Sequence, residues 1–181
     1  EFSEPLIVNV NPLPEMVINE NMEACYGQNV LATAELSGTA PWTISIDGVG
    51  ELQADESPYT ISWMAYQDSS FIILSVADAN ACVNDAQHLI SVVVNESPTV
   101  YLGADTSICM NHQITLDAAN DGASFLWSTD ETTQTIVADS SGLDANNEKT
   151  ISVVVTNEYN CSTEDEMLIS FQDCSGIDEL S

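Results

Sequence analysis

Five cysteines, two histidines and a large excess of carboxylates are the side chains of this sequence that could do chemistry. Cys25, Cys82, Cys109, Cys161 and Cys174 include no C-x-x-C pair, and His88 and His112 stand far from any matched ligand spacing. A zinc site is therefore not indicated. Cysteines at recurring positions in sandwich-sized units point instead to disulfides and to an oxidising, extracellular location. No serine lies in a Gly-x-Ser-x-Gly elbow. His88 falls in an apolar strand and His112 beside a strand start, so both read as structural or exposed imidazoles. Carboxylate neighbours such as Asp47/Glu51 or Asp130/Glu131 are unavoidable in so acidic a chain and carry no glycosidase signal. No catalytic residue is assigned, and the chain is read as not an enzyme.

One basic residue, Lys149, faces 29 acidic ones, for a net charge of −28. Nucleic acid and anionic membranes need a cationic face, and this chain has none to offer. The charge suits a solubilising surface in salty water. A sharper reading lets some carboxylates collect calcium, a hard cation that takes several oxygen ligands. Asp78, Asn80 and Asp85, and separately Glu96 with Asp105, place oxygen atoms on loops near domain ends. No Asp-x-Asp-x-Asp-Gly loop accompanies them. Tyr59, Trp63 and Tyr66 are candidates for an aromatic face that would hold sugar, against core packing as the plainer account.

The elements that must position these residues are strands. Around Cys109, the run Ile114, Leu116, Ala118 alternates with Gln113, Thr115, Asp117; a turn at Asn120-Asp121-Gly122 and a strand carrying Trp127 follow. Cys25, Val30–Leu36, Ser37-Gly38 and Trp42 repeat the pattern earlier. Strands are expected at Met16–Asn19, Asn29–Leu36, Trp42–Ile46, Tyr59–Met64, Phe71–Asp78 and Gln87–Val94. In the second half they are expected at Thr99–Gly103, Gln113–Ala119, Ser124–Ser128, Thr133–Asp139, Thr150–Asn157 and Glu166–Phe171. No segment shows helical period with a cap and a stop. No run of about 18 apolar residues is present to cross a membrane as a helix.

The repeat is regular enough to fix the organisation. Pro14 precedes Cys25 by the interval at which Pro98 precedes Cys109, and Trp42 and Trp127 follow at nearly equal distances. Asp78-Ala79-Asn80-Ala81-Cys82 matches Asn157-Glu158-Tyr159-Asn160-Cys161, each after a valine-bearing strand. The expected architecture is all-β: two tandem immunoglobulin-like β-sandwich domains, 14–97 and 98–174, each around its own tryptophan. The linker Asn95-Glu96-Ser97-Pro98 is short and stiffened by proline, which predicts a semi-rigid rod. Residues 1–13 read as a remnant strand of a preceding repeat (Leu6–Val10) or linker, and 175–181 as an exit linker.

Two disulfide arrangements compete. Repetition argues for Cys25–Cys82 and Cys109–Cys161, with Cys174 left over, and is favoured because domain one has no third cysteine. Against it, the members of each pair would lie at opposite ends of a strand about 25 Å long, whereas bridged Cα atoms lie within about 7 Å. Cys174 falls at the Cys109 end, giving the alternative Cys109–Cys174 with Cys161 free.

Several phrases carry a family resemblance: Asp105-Thr106-Ser107-Ile108-Cys109 before Gln113–Ala118, Leu126-Trp127-Ser128-Thr129 with Glu131–Ile136, and Ser37–Ile44 with Asn9–Pro14. They resemble the immunoglobulin-like or PKD-like repeats of surface and secreted proteins exported by the type IX secretion system. Phe171–Glu179 is similar to the stretch just before the C-terminal sorting domain of such proteins, so the chain is expected to be a piece of something longer. The resemblance implies a non-catalytic extracellular spacer or adhesion module. Its partners would be the other domains of the same polypeptide and, in the alternative, a glycan or surface protein bound with the help of calcium.

Self-repulsion of this charge weakens the compact state and is screened by salt. The Tm is expected to rise between about 10 mM and about 500 mM NaCl as the Debye length shrinks. A Tm that does not move contradicts this reading.

Overall fold

The computed structural model describes residues 10–85 and 87–175. No helix occurs among them, and the chain divides between Asn95 and Glu96 into two compact units. The expected remnant strand lies outside the described residues apart from Val10, and the exit linker outside them apart from Ser175.

Unit one contains β1 (Met16–Ile18), β2 (Asn21–Cys25), β3 (Asn29–Leu36), β4 (Trp42–Ile46), β5 (Gly50–Ala54), β6 (Tyr59–Met64), β7 (Ser69–Ala77), β8 (Val83–Asn84) and β9 (His88–Asn95). One sheet has the order β1-β3-β6, and the other β2-β9-β7-β4-β5, with β8 on β7. β3 buries Val30, Ala32, Ala34 and Leu36 and exposes the residues between, as its period-two sequence requires. From the facing sheet, Trp42, Ile44 and Ile46 of β4, Ile73 and Val76 of β7 and Ile90 of β9 complete one core.

Unit two contains β10 (Thr106–Cys109), β11 (Ile114–Asp117), β12 (Ser124–Trp127), β13 (Thr135–Ala138), β14 (Glu148–Thr156) and β15 (Ser162–Gln172). Its sheets are β10-β15-β14-β12 and β11-β13. The plan is that of unit one with the outermost strands trimmed: β10, β15, β14 and β12 take the places of β2, β9, β7 and β4, and β11 with β13 those of β3 with β6. In both units the first strand of the larger sheet runs parallel to the last strand of the unit, and the other pairs are antiparallel. That order across two facing sheets is immunoglobulin-like.

Trp42 and Trp127 occupy the same place in the two copies and are buried, at 6% and 1% exposure. A buried indole must still satisfy its N–H. Trp42 Nε1 donates to Ser37 O at 2.9 Å and Trp127 Nε1 to Thr133 O at 2.7 Å.

Several expectations are corrected. Thr99–Gly103 forms no strand; its backbone is held by a side chain, Leu102 N–H donating to Asp165 Oδ2 at 2.7 Å. β2, β5, β8 and β10 are not among the expected strands, and β7, β14 and β15 begin earlier than expected.

The favoured disulfides are also corrected. Cys82 is a free thiol, and Cys109 is bridged to Cys174, with Cα atoms 5.5 Å apart. The parallel pairing of β10 with β15 sets Cys109 opposite Gln172, so Cys174 arrives beside it. Cys161 lies just before the other end of β15, about 33 Å away at strand rise. In unit one Cys25 sits opposite Asn95, whereas Cys82 follows the far end of β7. Repetition in sequence placed these cysteines at matching positions, and strand length kept them apart. Cys161 is not left free as the alternative arrangement required, and neither is Cys25.

The Cys109–Cys174 bridge spans a sequence separation of 65 and ties the first strand of unit two to the end of its last. Replacing both residues with serine is expected to lower unfolding free energy by about 4 kcal/mol on the loop-entropy model. Denaturant unfolding of wild type and double variant measures this; equal midpoints and slopes contradict it.

Candidate functional site

Strand geometry dictates where the singled-out side chains go, and it disperses them. On β6, alternation turns Tyr59, Ile61 and Trp63 toward the core and leaves Thr60, Ser62 and Met64 exposed. Trp63 packs edge-on against Phe71, ring centres 5.1 Å apart. Tyr66 lies past the strand end, exposed, and meets Tyr26 edge-on at 5.6 Å. The expected aromatic face of Tyr59, Trp63 and Tyr66 is therefore not one surface: Tyr59 and Trp63 turn toward the sandwich interior, and Tyr66 pairs with Tyr26, which is not among the expected residues.

Both histidines are accounted for without chemistry. His88 Nδ1 lies 3.2 Å from Glu20 Oε1, and exposed His112 donates its backbone N–H to Cys109 O at 2.9 Å. Among the described residues no Ser, Thr or Cys side chain is hydrogen-bonded to either ring.

Of the carboxylates singled out for calcium, those of Asp78 and Asp105 are engaged with backbone amides. Asp78, the buried acid of unit one, accepts from Asn80 N–H at 2.9 Å and Cys82 N–H at 3.1 Å through Oδ1. Its Oδ2 accepts from Thr39 N–H and from Asn80 Nδ2, both at 3.3 Å. Asn80 thus turns its amide nitrogen, not its oxygen, toward the carboxylate. Gly38 closes the pocket: at φ +102° it adopts a conformation other residues avoid, and a Cβ there would stand 3.3 Å from Asp78 Oδ2. In unit two Asp105 Oδ1 accepts from Leu168 N–H at 3.0 Å, and Glu96 offers its backbone oxygen to Asn157 Nδ2 at 2.8 Å. Asp85 is exposed. Among the described residues no three His, Cys, Asp or Glu side chains converge on a point where a metal could sit.

The Asp78 arrangement recurs. Asn157 Oδ1 accepts from Tyr159 N–H and Cys161 N–H, both at 3.0 Å, and Asp144 Oδ1 accepts from Asn146 N–H and Glu148 N–H, both at 2.8 Å. In all three loops the first residue donates its N–H to the carbonyl of the fifth, at 3.0, 3.0 and 2.9 Å. The fourth residue (Ala81, Asn160, Asn147) has positive φ of 59°, 61° and 62°. An Asx side chain thus supplies the acceptor that lets a five-residue loop turn with its amides satisfied. The first two loops carry the repeat evident in the sequence. Asp144-Ala145-Asn146-Asn147-Glu148 was not anticipated, although its Asp-x-Asn opening was the available signal.

Burial pushes the Asp78 pKa up, but the hydrogen bonds from Cys82, Thr39 and Asn80 more than offset this and hold it below its ordinary value. Gln134 Nε2 and Ala119 N–H lower that of Asp117, and the Ser141 hydroxyl and N–H that of Asp139.

No protein-family model and no curated protein matches the chain. Solved structures similar to it include the insect immune protein hemolin (13% identity, TM-score 0.41, 89% of this chain and 47% of that one) and the first two immunoglobulin domains of DIP-gamma (9%, 0.36, 90% and 99%). A third is the Bacteroides ovatus glucan-locus protein SGBP-B in complex with a mixed-linkage heptasaccharide (14%, 0.34, 88% and 48%).

A carboxylate whose pKa is depressed in the folded state stabilises that state above its unfolded pKa. The contribution is lost as pH falls through the folded value. Stability is expected to fall below about pH 4. Asp78→Asn keeps an oxygen for Asn80 and Cys82, as Asn157 does, and should fold at pH 7 with a shallower acid decline. Asp78→Ala should lower the Tm at pH 7. Thermal melts across pH check both, and identical acid limbs for wild type and Asp78→Asn contradict the assignment.

Proposed function

We propose that this chain is a non-catalytic extracellular module, a spacer and adhesion unit within a larger secreted or cell-surface protein. The observation that carries the reading is the Cys109–Cys174 bridge within an immunoglobulin-like sandwich. Such a bridge persists in an oxidising compartment and is rare where thiols are kept reduced. A charge of −28 further suits a surface that stays solvated and separate from anionic envelopes. The phrases resembling type IX repeats supply the proposed route of export. As a spacer, the module holds neighbouring domains of its polypeptide away from the cell, and its two cores supply stiffness without chemistry. A binding role in the same module is favoured by an apolar cleft in unit one, between β5 and β6.

Antibody raised against the folded chain tests the reading on cells that make the parent protein. Intact cells should be labelled as strongly as permeabilised ones, and Cys109 and Cys174 should resist alkylation until reduced. Labelling that requires permeabilisation, or alkylation of Cys109 or Cys174 without reduction, overturns it, whereas free Cys82 alkylates in either case.

A further inference from the structure

The smaller sheet of unit one ends on β6, which pairs with β3 on one side and with no strand on the other among the described residues. In an antiparallel ladder alternate residues turn their N–H and C=O outward, so this free edge presents a row of unpaired donors and acceptors. Natural edge strands are blunted by shortness, charge, proline or a bulge. The other edges of this unit follow that rule: β1 has three residues, β2 carries Glu23 and β5 carries Glu51. β6 does not. It runs six residues, Tyr-Thr-Ile-Ser-Trp-Met, with neither charge nor proline.

The same edge borders a gap in the core. Inward-facing residues of the neighbouring β3 are buried, whereas Ile61 and Trp63, which face the same interior from β6, remain half-exposed. A cleft of about 370 Å³ opens there, lined chiefly by Ile46, Val49, Leu52, Ile61, Trp63 and Phe71. That volume lies in the range of ligand-binding clefts. Half-covered core residues beside an unblunted edge are what remains when a sandwich lacks one strand.

Charge identifies the occupant. No Lys or Arg occurs before Lys149, so unit one contains neither. Asp47 and Glu51 stand two residues to either side of Val49 in the sequence, Asp55 and Glu56 lie on the turn between β5 and β6, and all four are exposed. A second copy of this chain would bring its own excess of carboxylates to the same place. We propose that β6 is a strand-addition site for an extended, cationic segment of another polypeptide. Its alternate apolar side chains fill the cleft and its backbone completes the ladder on β6, while the Lys or Arg between them turn to the outer face and are favoured there by the field of a unit that carries many carboxylates and no Lys or Arg. This deepens the reading of the chain as an adhesion module by naming the class of partner.

The probe is an acetylated, amidated octapeptide alternating lysine with valine, with a glutamate–valine octapeptide as control. Hydrogen exchange and amide chemical shifts are followed across unit one. The lysine peptide should slow exchange of amides in Thr60–Met64 and shift their resonances, with affinity falling as salt rises. The glutamate peptide should do neither. Val49→Lys places a cation on an exposed turn at the cleft mouth and should weaken binding about tenfold or more without altering the melt. Glu51→Lys should weaken it as well. No protection of β6 at about 1 mM lysine peptide overturns the proposal. So do equal binding of the glutamate peptide, self-association of the free protein through β6, and protection by an oligosaccharide in place of the peptide. Any of these with surface labelling intact leaves the module reading standing. Peptide binding by a chain confined to the cell interior does the opposite, upholding the strand-addition site while removing the extracellular role.

Discussion

A polypeptide with 29 carboxylates and one lysine cannot hold its loops by ion pairs. The acceptors it has in abundance are side-chain oxygens, and the donors available to them are backbone amides. Asp78, Asp144 and Asn157 each gather the third and fifth N–H of a loop onto one oxygen. Asp68 takes Val94 N–H, Asp105 takes Leu168 N–H and Asp165 takes Leu102 N–H. Charge-assisted bonds of this kind are stronger than neutral ones and need no cationic partner. An acidic composition is thus part of how the sandwich is built as well as how it stays in solution.

The second constraint is closure of the larger sheet. In each unit its first strand lies parallel to the last strand of the chain segment, which brings the two ends of the unit to one edge. In unit two a disulfide then fixes that edge. Unit one adds two further edge strands, β1 and β5, and among the described residues β6, like β13 in unit two, pairs with one strand only.

Fold class was legible because half-buried strands write their burial into alternate residues, as in Val30–Leu36 and Ile114–Ala118, and because the pattern occurs twice around a tryptophan. Strands with weaker alternation were not legible. Gly50–Ala54 has one buried residue, and Thr106–Cys109 is held chiefly by its parallel partner. Thr99–Gly103 looked like a strand by composition, but Asp165 claims one of its amides. The cysteines show the limit of repetition as a guide: equal positions in two copies fixed where each thiol sits, while register and strand length decided which could meet. The aromatic trio failed for a related reason. Alternation on β6 sends Tyr59 and Trp63 inward, and Tyr66 lies past the point where that alternation ends.

The most direct measurement is amide hydrogen exchange at Asn80, Cys82, Asn146, Glu148, Tyr159 and Cys161. All but Glu148, which opens β14, lie in loops, where solvent would normally exchange them quickly. If Asx side chains hold the loops as described, their amides exchange slowly, at rates closer to those of the flanking strands than to free loop amides. Rapid exchange at all six, with the strands protected, would contradict the account.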